Sequence, residues 1–184
     1  MLLIRPTHIH LASYISALEQ GWSWDNSRPA AADDELDMIR ANAGDFLASM
    51  DDPEAKGPPI TLPDGSVVPR LPGIRRWMWD GEFAGNIGLR WQHGTTALSP
   101  TCLGHIGYSV VPWKQRNGYA TKALRLILAE AKEVGLPFVE ITTDPENLAS
   151  QRAIEANGGE LFEKFIKPPQ CGGKPGLRYR IAVI

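Results

Sequence analysis

The stretch HIGYSVVPWKQRNGYATKALRLILAEAKEV, His105 to Val134, decides the fold, because it reads as a strand, a basic turn and a helix in immediate succession. Ile106, Tyr108 and Val110 alternate with Gly107, Ser109 and Val111, the period of a strand, and Pro112 then removes the amide that a continuing ladder needs. After the turn, Ala120, Ala123, Leu124, Ile127, Leu128 and Ala131 fall at i, i+3, i+4, i+7, i+8 and i+11, one apolar stripe along a helix. That helix is expected from Gly118 to Val134, with Gly135 as its stop.

The turn between them, Gln115, Arg116, Asn117, Gly118, Tyr119, Ala120 and Thr121, has the chemistry to receive phosphate. A helix begins with amides that have no partner, so a run of N–H groups from about Arg116 to Thr121 gathers at the positive end of the helix dipole. Gly118 lets an anion approach the backbone, Ala120 keeps the same space free of a large side chain, and Arg116 adds a charge that a diphosphate favours. Neither the dinucleotide fingerprint nor the P-loop pattern occurs.

Gln115 to Ala120 fits the pattern Gln/Arg, any, any, Gly, any, Gly/Ala, and resembles motif A of the GNAT superfamily of acyl-CoA-dependent N-acetyltransferases. FVEITTDPENLASQRAIEANGG, Phe138 to Gly159, resembles the strand and helix that follow in that superfamily, with Asn147 and Ser150 at its N-x-x-S positions. The fold this implies is α/β (α+β): a mixed, mostly antiparallel sheet of about seven strands with four flanking helices, whose splayed parallel pair, Cys102 to Val111 and Phe138 to Thr143, forms the CoA cleft. In that cleft the resemblance places acetyl-CoA, held by the backbone of Ser109, Val110 and Val111, by the turn from Gln115 to Thr121, and by Asn147 and Ser150 on the opposite wall. It implies direct transfer of acetyl to a primary amine of a small molecule or exposed amino group, with the oxyanion held by an N–H near Ser109 or Val110.

The sequence departs from the family at two positions. Many members carry a Tyr seven residues after the Asn, as acid to the leaving thiolate, where this chain has Ile154. The acidic base that some members keep on the strand after motif A would fall near Thr142. His105, Tyr108 and Glu140 remain as replacements, with His105 the first candidate for the catalytic group because it titrates near neutrality, and Tyr108 the second. Ile154 also keeps a second function class open, a module that binds acyl-CoA without turnover.

The 184 residues, 43% apolar and 22% charged, suit one soluble domain spanning the whole sequence. A net charge of −2 and a pI near 6.1, without a clustered basic face, speak against nucleic acid as a partner. MLLIRPTHIH has no apolar signal core and no stretch is long enough to span a bilayer, so no membrane and a cytoplasmic location are expected. Cys102 and Cys171 show no CxxC or CxxH pattern, so no metal and no disulfide are expected; a homodimer stays open.

Along the rest of the chain, Leu2 to Arg5 reads as a strand and Pro6 and Thr7 start a helix carrying Leu11, Tyr14, Ile15 and Leu18. Trp22 and Trp24 read as packing or rim aromatics first and as walls of a substrate pocket second. A second helix begins at Asp33, Asp34 and Glu35, charges that suit a helix N-terminus, and runs to Met50. Asp51 to Gly73, crowded with proline, is expected to be a loop with a turn at Pro63, Asp64 and Gly65, either covering part of the acceptor site or an inert surface excursion. Ile74 to Trp79 and Glu82 to Trp91 read as a hairpin around Asp80 and Gly81. Gly104 and Gly107 suggest a bulge or a close approach by a ligand, and Leu161 to Ile166 and Leu177 to Val183 close the fold as an antiparallel pair.

Overall fold

A computed structural model describes residues 1–25, 28, 30–62 and 64–183. Strand β1 (Leu2–Ile4) is followed by a 3-10 turn, helix α1 (Leu11–Glu19) and helix α2 (Ala31–Ala48). The proline-rich region holds β2 (Asp51–Asp52), β3 (Ile60–Thr61) and β4 (Val67–Val68). Then come β5 (Gly73–Trp79), β6 (Phe83–Arg90), β7 (Ile106–Val110), α3 (Tyr119–Glu133), β8 (Phe138–Thr143), α4 (Leu148–Glu155), β9 (Glu160–Ile166) and β10 (Pro175–Ala182).

The expected seven-strand sheet is divided. One sheet runs β1-β5-β6-β7, with β2 also on β5, and the other runs β8-β10-β9. Every ladder within them is antiparallel. The two sheets meet where the His105 amide donates to the Glu140 carbonyl at 2.7 Å, the one backbone bond between 102–111 and 138–143 among the described residues. Beyond it β7 and β8 part, and Tyr108 reaches Ser150, which follows the end of β8. Both strands therefore run toward the same open end, and the space between them is the cleft.

The stripe on α3 does what its spacing dictates: Ala123, Leu124, Ile127 and Ala131 are fully buried where the helix packs on β1, β6 and β7. Each large member of that stripe contributes about 1.5–3 kcal/mol of burial, so Ile127→Ala would cost about 2–5 kcal/mol. On the opposite face of the first sheet, α1 and α2 cover a second core of Tyr14, Leu18, Trp22, Phe46, Trp77 and Phe83. Two expectations change here. Helix α2 is interrupted at Asn42, whose φ of −160° and ψ of 99° are extended, and its side-chain oxygen accepts from the amides of Gly44 and Asp45 to start the second segment. The β5–β6 hairpin uses three residues, 80–82, and shifts register between Met78 and Trp79, so it is not the two-residue turn that Asp80 and Gly81 suggested.

The expected bulge lies on β6 rather than β7. Gly85 has φ +151°, and a Cβ there would stand 2.3 Å from the Ser109 carbonyl oxygen. Gly104 is tight for a different reason from the ligand approach expected of it: a Cβ would stand 2.9 Å from the Glu140 carbonyl, so β8 itself is the close neighbour. The turn expected at Pro63, Asp64 and Gly65 lies in part outside the described residues, since Pro63 is not described.

Candidate active site

The turn after β7 has the unpaired amides that its sequence requires. The N–H groups of residues 116–121 make no intramolecular hydrogen bond among the described residues, while the next amide, of Lys122, closes the helix onto the Gly118 carbonyl at 3.0 Å. Residues 115–118 are exposed and Gly118 adopts φ +71°, with nothing within 4 Å of where its Cβ would be. An anion placed there meets backbone donors and the N-terminus of a 15-residue helix. Arg116 also takes a left-handed φ, +64°. A hydroxyl and a carboxylate brace the turn from outside, because Tyr119 donates to Asp80 at 2.5 Å and Lys114 pairs with the same carboxylate at 2.5 Å.

On the cleft edge of β7, alternation decides which groups are free. The Arg90 amide donates to the His105 carbonyl and the Val111 amide to the Ala84 carbonyl, so the backbones of Gly107 and Ser109 face β6 as well. Those of Ile106, Tyr108 and Val110 face the cleft. Val110 can then offer its N–H to an oxyanion or to a docked amide chain, as an added strand would. Ser109 cannot, which corrects its place as an alternative oxyanion donor. Its side chain, like that of Val111, lies on the opposite face from Tyr108.

On the far wall, the Asn147 side-chain oxygen accepts from the Ser150 amide at 3.1 Å and caps α4, leaving its side-chain N–H groups as the ones available to a ligand. Ser150 Oγ lies 2.8 Å from the Tyr108 hydroxyl. Burial raises the Tyr108 pKa above the ordinary tyrosine value. Ile154 is buried in the core under α3, and Gly159 packs so closely on it that a Cβ there would meet its Cγ2 at 2.3 Å.

The structure takes the other two proton-transfer candidates out of the cleft. His105 is 0% exposed and its Nδ1 accepts from the Glu140 amide at 3.0 Å. Burial lowers its pKa. A ring sealed in the seam between the sheets cannot reach an acceptor amine, so the first-named catalytic candidate gives way to Tyr108. Glu140 pairs with Arg180 at 2.7 Å and Arg178 at 3.9 Å. Thr142, without an acid, donates to the Leu103 carbonyl.

A cavity of about 440 Å³ opens on the α1/α2 face of the first sheet and reaches Gly107 and Tyr108. Ile60, Leu62 and residues 68–71 line it, so the proline-rich segment does cover this space. Trp24 is on its wall at 37% exposure whereas Trp22 is 5% exposed in the core, which separates two tryptophans that the sequence treated alike. Sequence reasoning missed the group that holds this wall. Glu35 is buried and accepts from Trp24 Nε1 at 2.9 Å, from Arg75 at 2.9 Å and from the Tyr14 hydroxyl, while the Arg75 guanidinium stacks on Trp24 at 4.4 Å.

The acetyltransferase (GNAT) domain family matches residues 68–160, from the cavity segment through the cleft to the start of β9. The chain belongs to the GNAT acetyltransferase family. Its members' fold explains the divided sheet and the splay of β7 from β8, and the match makes the protein an acyltransferase. None of the curated proteins matches the chain in sequence. Among solved structures, the microcin self-immunity acetyltransferase MccE, in complex with acetyl-CoA and AMP, is similar with a TM-score of 0.62 and 15% identity over 98% of this chain and 91% of its own. The ribosomal-protein α-N-acetyltransferase RimL, in complex with coenzyme A, is similar with a TM-score of 0.62 and 13% identity over 98% and 93%. A spermidine N-acetyltransferase chimera from Vibrio cholerae and hSSAT gives 0.58 and 12% over 99% and 96%. At such identities these likenesses describe the fold this GNAT chain shares, not its acceptor. Among the described residues no helix is long and apolar enough to cross a membrane, and no group of His, Cys, Asp or Glu could hold a metal.

Proposed function

We propose that this GNAT protein is an acetyl-CoA-dependent N-acetyltransferase that moves acetyl directly to a primary amine, without an acyl-enzyme. The observation that carries the reading is the run of free amides at 116–121, next to a strand edge whose Val110 N–H is also free. The amides would hold the diphosphate of acetyl-CoA, the Val110 backbone and the Asn147 amide its pantetheine arm, and the thioester would sit beside Val110 and Tyr108. Two of the solved relatives above were determined with acetyl-CoA or coenzyme A, which supports acetyl-CoA as the co-substrate here.

In the transfer, the neutral amine adds to the thioester carbonyl, the Val110 N–H meets the negative oxygen, and collapse breaks the C–S bond. Tyr108 is protonated at neutral pH and donates a hydrogen bond to the departing sulfur, in place of the tyrosine that Ile154 replaces. The nitrogen releases its proton to water in the cavity. Holding both reactants adjacent supplies much of the acceleration. Cys102 and Cys171 are free thiols, which suits a cytoplasmic setting.

The test follows free thiol while the protein is mixed with acetyl-CoA and a panel of primary amines. Amine-dependent thiol release supports transfer. Coenzyme A binding without it would leave the chain as a module that binds acyl-CoA.

A further inference from the structure

We propose that the acceptor amine carries a carboxylate, bound by Arg90 at the end of the cavity away from the point of acetyl transfer. The inference rests on the transferase reading above and names the class of acceptor it serves.

Arg90, Gly88 and Asn86 alternate onto the cavity face of β6. Gly88 stands opposite Gly107 in the ladder, so the floor there has no side chains and is hollow. One Arg90 guanidinium nitrogen lies 2.9 Å from where a Gly107 Cβ would stand, which puts the charge over that floor. Among the described residues nothing pairs with it. The other two arginines of the lining are occupied: Arg75 by Glu35 at 2.9 Å, Arg70 by the Pro58 carbonyl at 2.9 Å and by Asp52 at 3.8 Å. Asp52, the carboxylate of the lining, already accepts from the amides of Lys56 and Gly57.

Asn86 is 4% exposed, lines the same cavity, and its side-chain amide makes no hydrogen bond among the described residues. A half-enclosed guanidinium without a counterion costs stability until a ligand satisfies it, and the Asn86 amide, open to the cavity, can donate to a passing ligand group. A carboxylate satisfies the guanidinium, since its two oxygens match the fork.

The spacing narrows the class further. The Arg90 guanidinium stands over Gly107, three residues before Val110 or about 10 Å along a strand, so an anion paired with it is held well apart from the reacting nitrogen, with Asn86, the ladder partner of Ser109, along the span. An α-amino acid keeps its own amine and carboxylate too close for that. An ω-amino acid, or an amino acid acylated on a long side-chain amine, spans the distance. A C–N bond forms and the C–S bond breaks, sulfur leaves as thiolate and is protonated, the nitrogen loses a proton, and the carboxylate is unchanged.

The experiment compares kcat/KM for ε-aminocaproate, glycine, hexylamine and aminohexyl phosphate in the full chain and in Arg90→Gln. The expected result is that ε-aminocaproate exceeds hexylamine by roughly 10- to 100-fold, the worth of a charged hydrogen-bonded contact, with glycine poor. Arg90→Gln should bring ε-aminocaproate and hexylamine to the same value while its acetyl-CoA affinity shows it folded. Equal use of the two by the unmodified protein, a preference that survives Arg90→Gln, or a preference for the phosphate would each overturn the proposal. If no amine is acetylated, the transferase reading fails by itself, and calorimetric titration with caproate still reads the anion site. Binding lost in Arg90→Gln supports it, and no binding to the unmodified protein overturns it.

Discussion

Tyr108 on β7 and Ser150 in the first turn of α4 hold their hydroxyl oxygens 2.8 Å apart, across a cleft whose two strands have stopped bonding to each other. The serine anchors the phenol at the height where β7 and β8 separate, and burial keeps it protonated to higher pH than an exposed tyrosine. Tyr108→Phe should lower kcat about 100-fold, within the usual contribution of one positioned acid, and leave acetyl-CoA affinity within a few-fold. Because the pKa is raised, the unmodified enzyme should lose kcat only above the ordinary tyrosine value near 10, and the variant should lack that limb. A Phe variant with full kcat would remove Tyr108 from the chemistry.

How much of this was legible depends on whether the signal is local. The β7 strand, the turn and α3 were readable because Pro112, Gly118, Gly135 and the i, i+3, i+4 spacing act within one stretch of chain. Ile154 announced a missing acid, yet only three dimensions show Tyr108 reaching Ser150 from 42 residues away. The cavity on the α1/α2 face was nearly silent. Glu35 read as helix-start charge because its partner Arg75 is 40 residues distant, and Arg90 and Asn86 are single polar residues in a strand whose neighbours look ordinary. Division of the sheet rests on one hydrogen bond and the close packing at Gly104, too little to leave a pattern. Asn42 did carry a usable sign, since its side chain competes with a helix in mid-stripe.

His105 predicts a pH dependence of stability. Its folded pKa lies below the unfolded value near 6.5, so the unfolded chain binds the proton more readily. Its contribution is therefore full above about pH 6.5 and is lost as pH falls through the folded pKa. His105→Asn keeps an acceptor for the Glu140 amide and removes the titration. Urea unfolding between about pH 7.5 and 5.5 should show a shallower loss of stability for the variant, by up to about 1.4 kcal/mol per pH unit. Parallel curves would show that another group governs the acid limb.

Gly85 predicts a structural loss that reaches the cleft. Its φ of +151° and the Ser109 carbonyl 2.3 Å from any Cβ leave alanine no place in the β6–β7 ladder. Gly85→Ala should destabilise by about 1–3 kcal/mol in thermal or urea unfolding, from strain and a displaced ladder bond. Since Val110 is the ladder partner of Gly85, acetyl-CoA affinity should fall with it. An alanine variant of normal stability would mean that the bulge is not held at this residue.

The sharpest prediction concerns the anion turn, where two residues share the left-handed region but have different jobs. Gly118, at φ +71°, sits among the free amides with open space where its Cβ would be, so a larger side chain there meets the ligand rather than the protein. Gly118→Val should cost about 1–2 kcal/mol of stability through the left-handed backbone and should lower acetyl-CoA affinity more than tenfold by occupying the phosphate space. Arg116, at φ +64°, already bears that backbone cost, and Ala in its place bears the same. Arg116→Ala then removes only an exposed charge, about 1 kcal/mol or less, so its affinity should fall less than about fivefold. Arg116→Gly should bind like the alanine variant while unfolding at a higher temperature than it, because glycine relieves the strain. Calorimetry with acetyl-CoA on the folded variants ranks the three; a valine variant that binds like the unmodified protein would show that the diphosphate lies elsewhere.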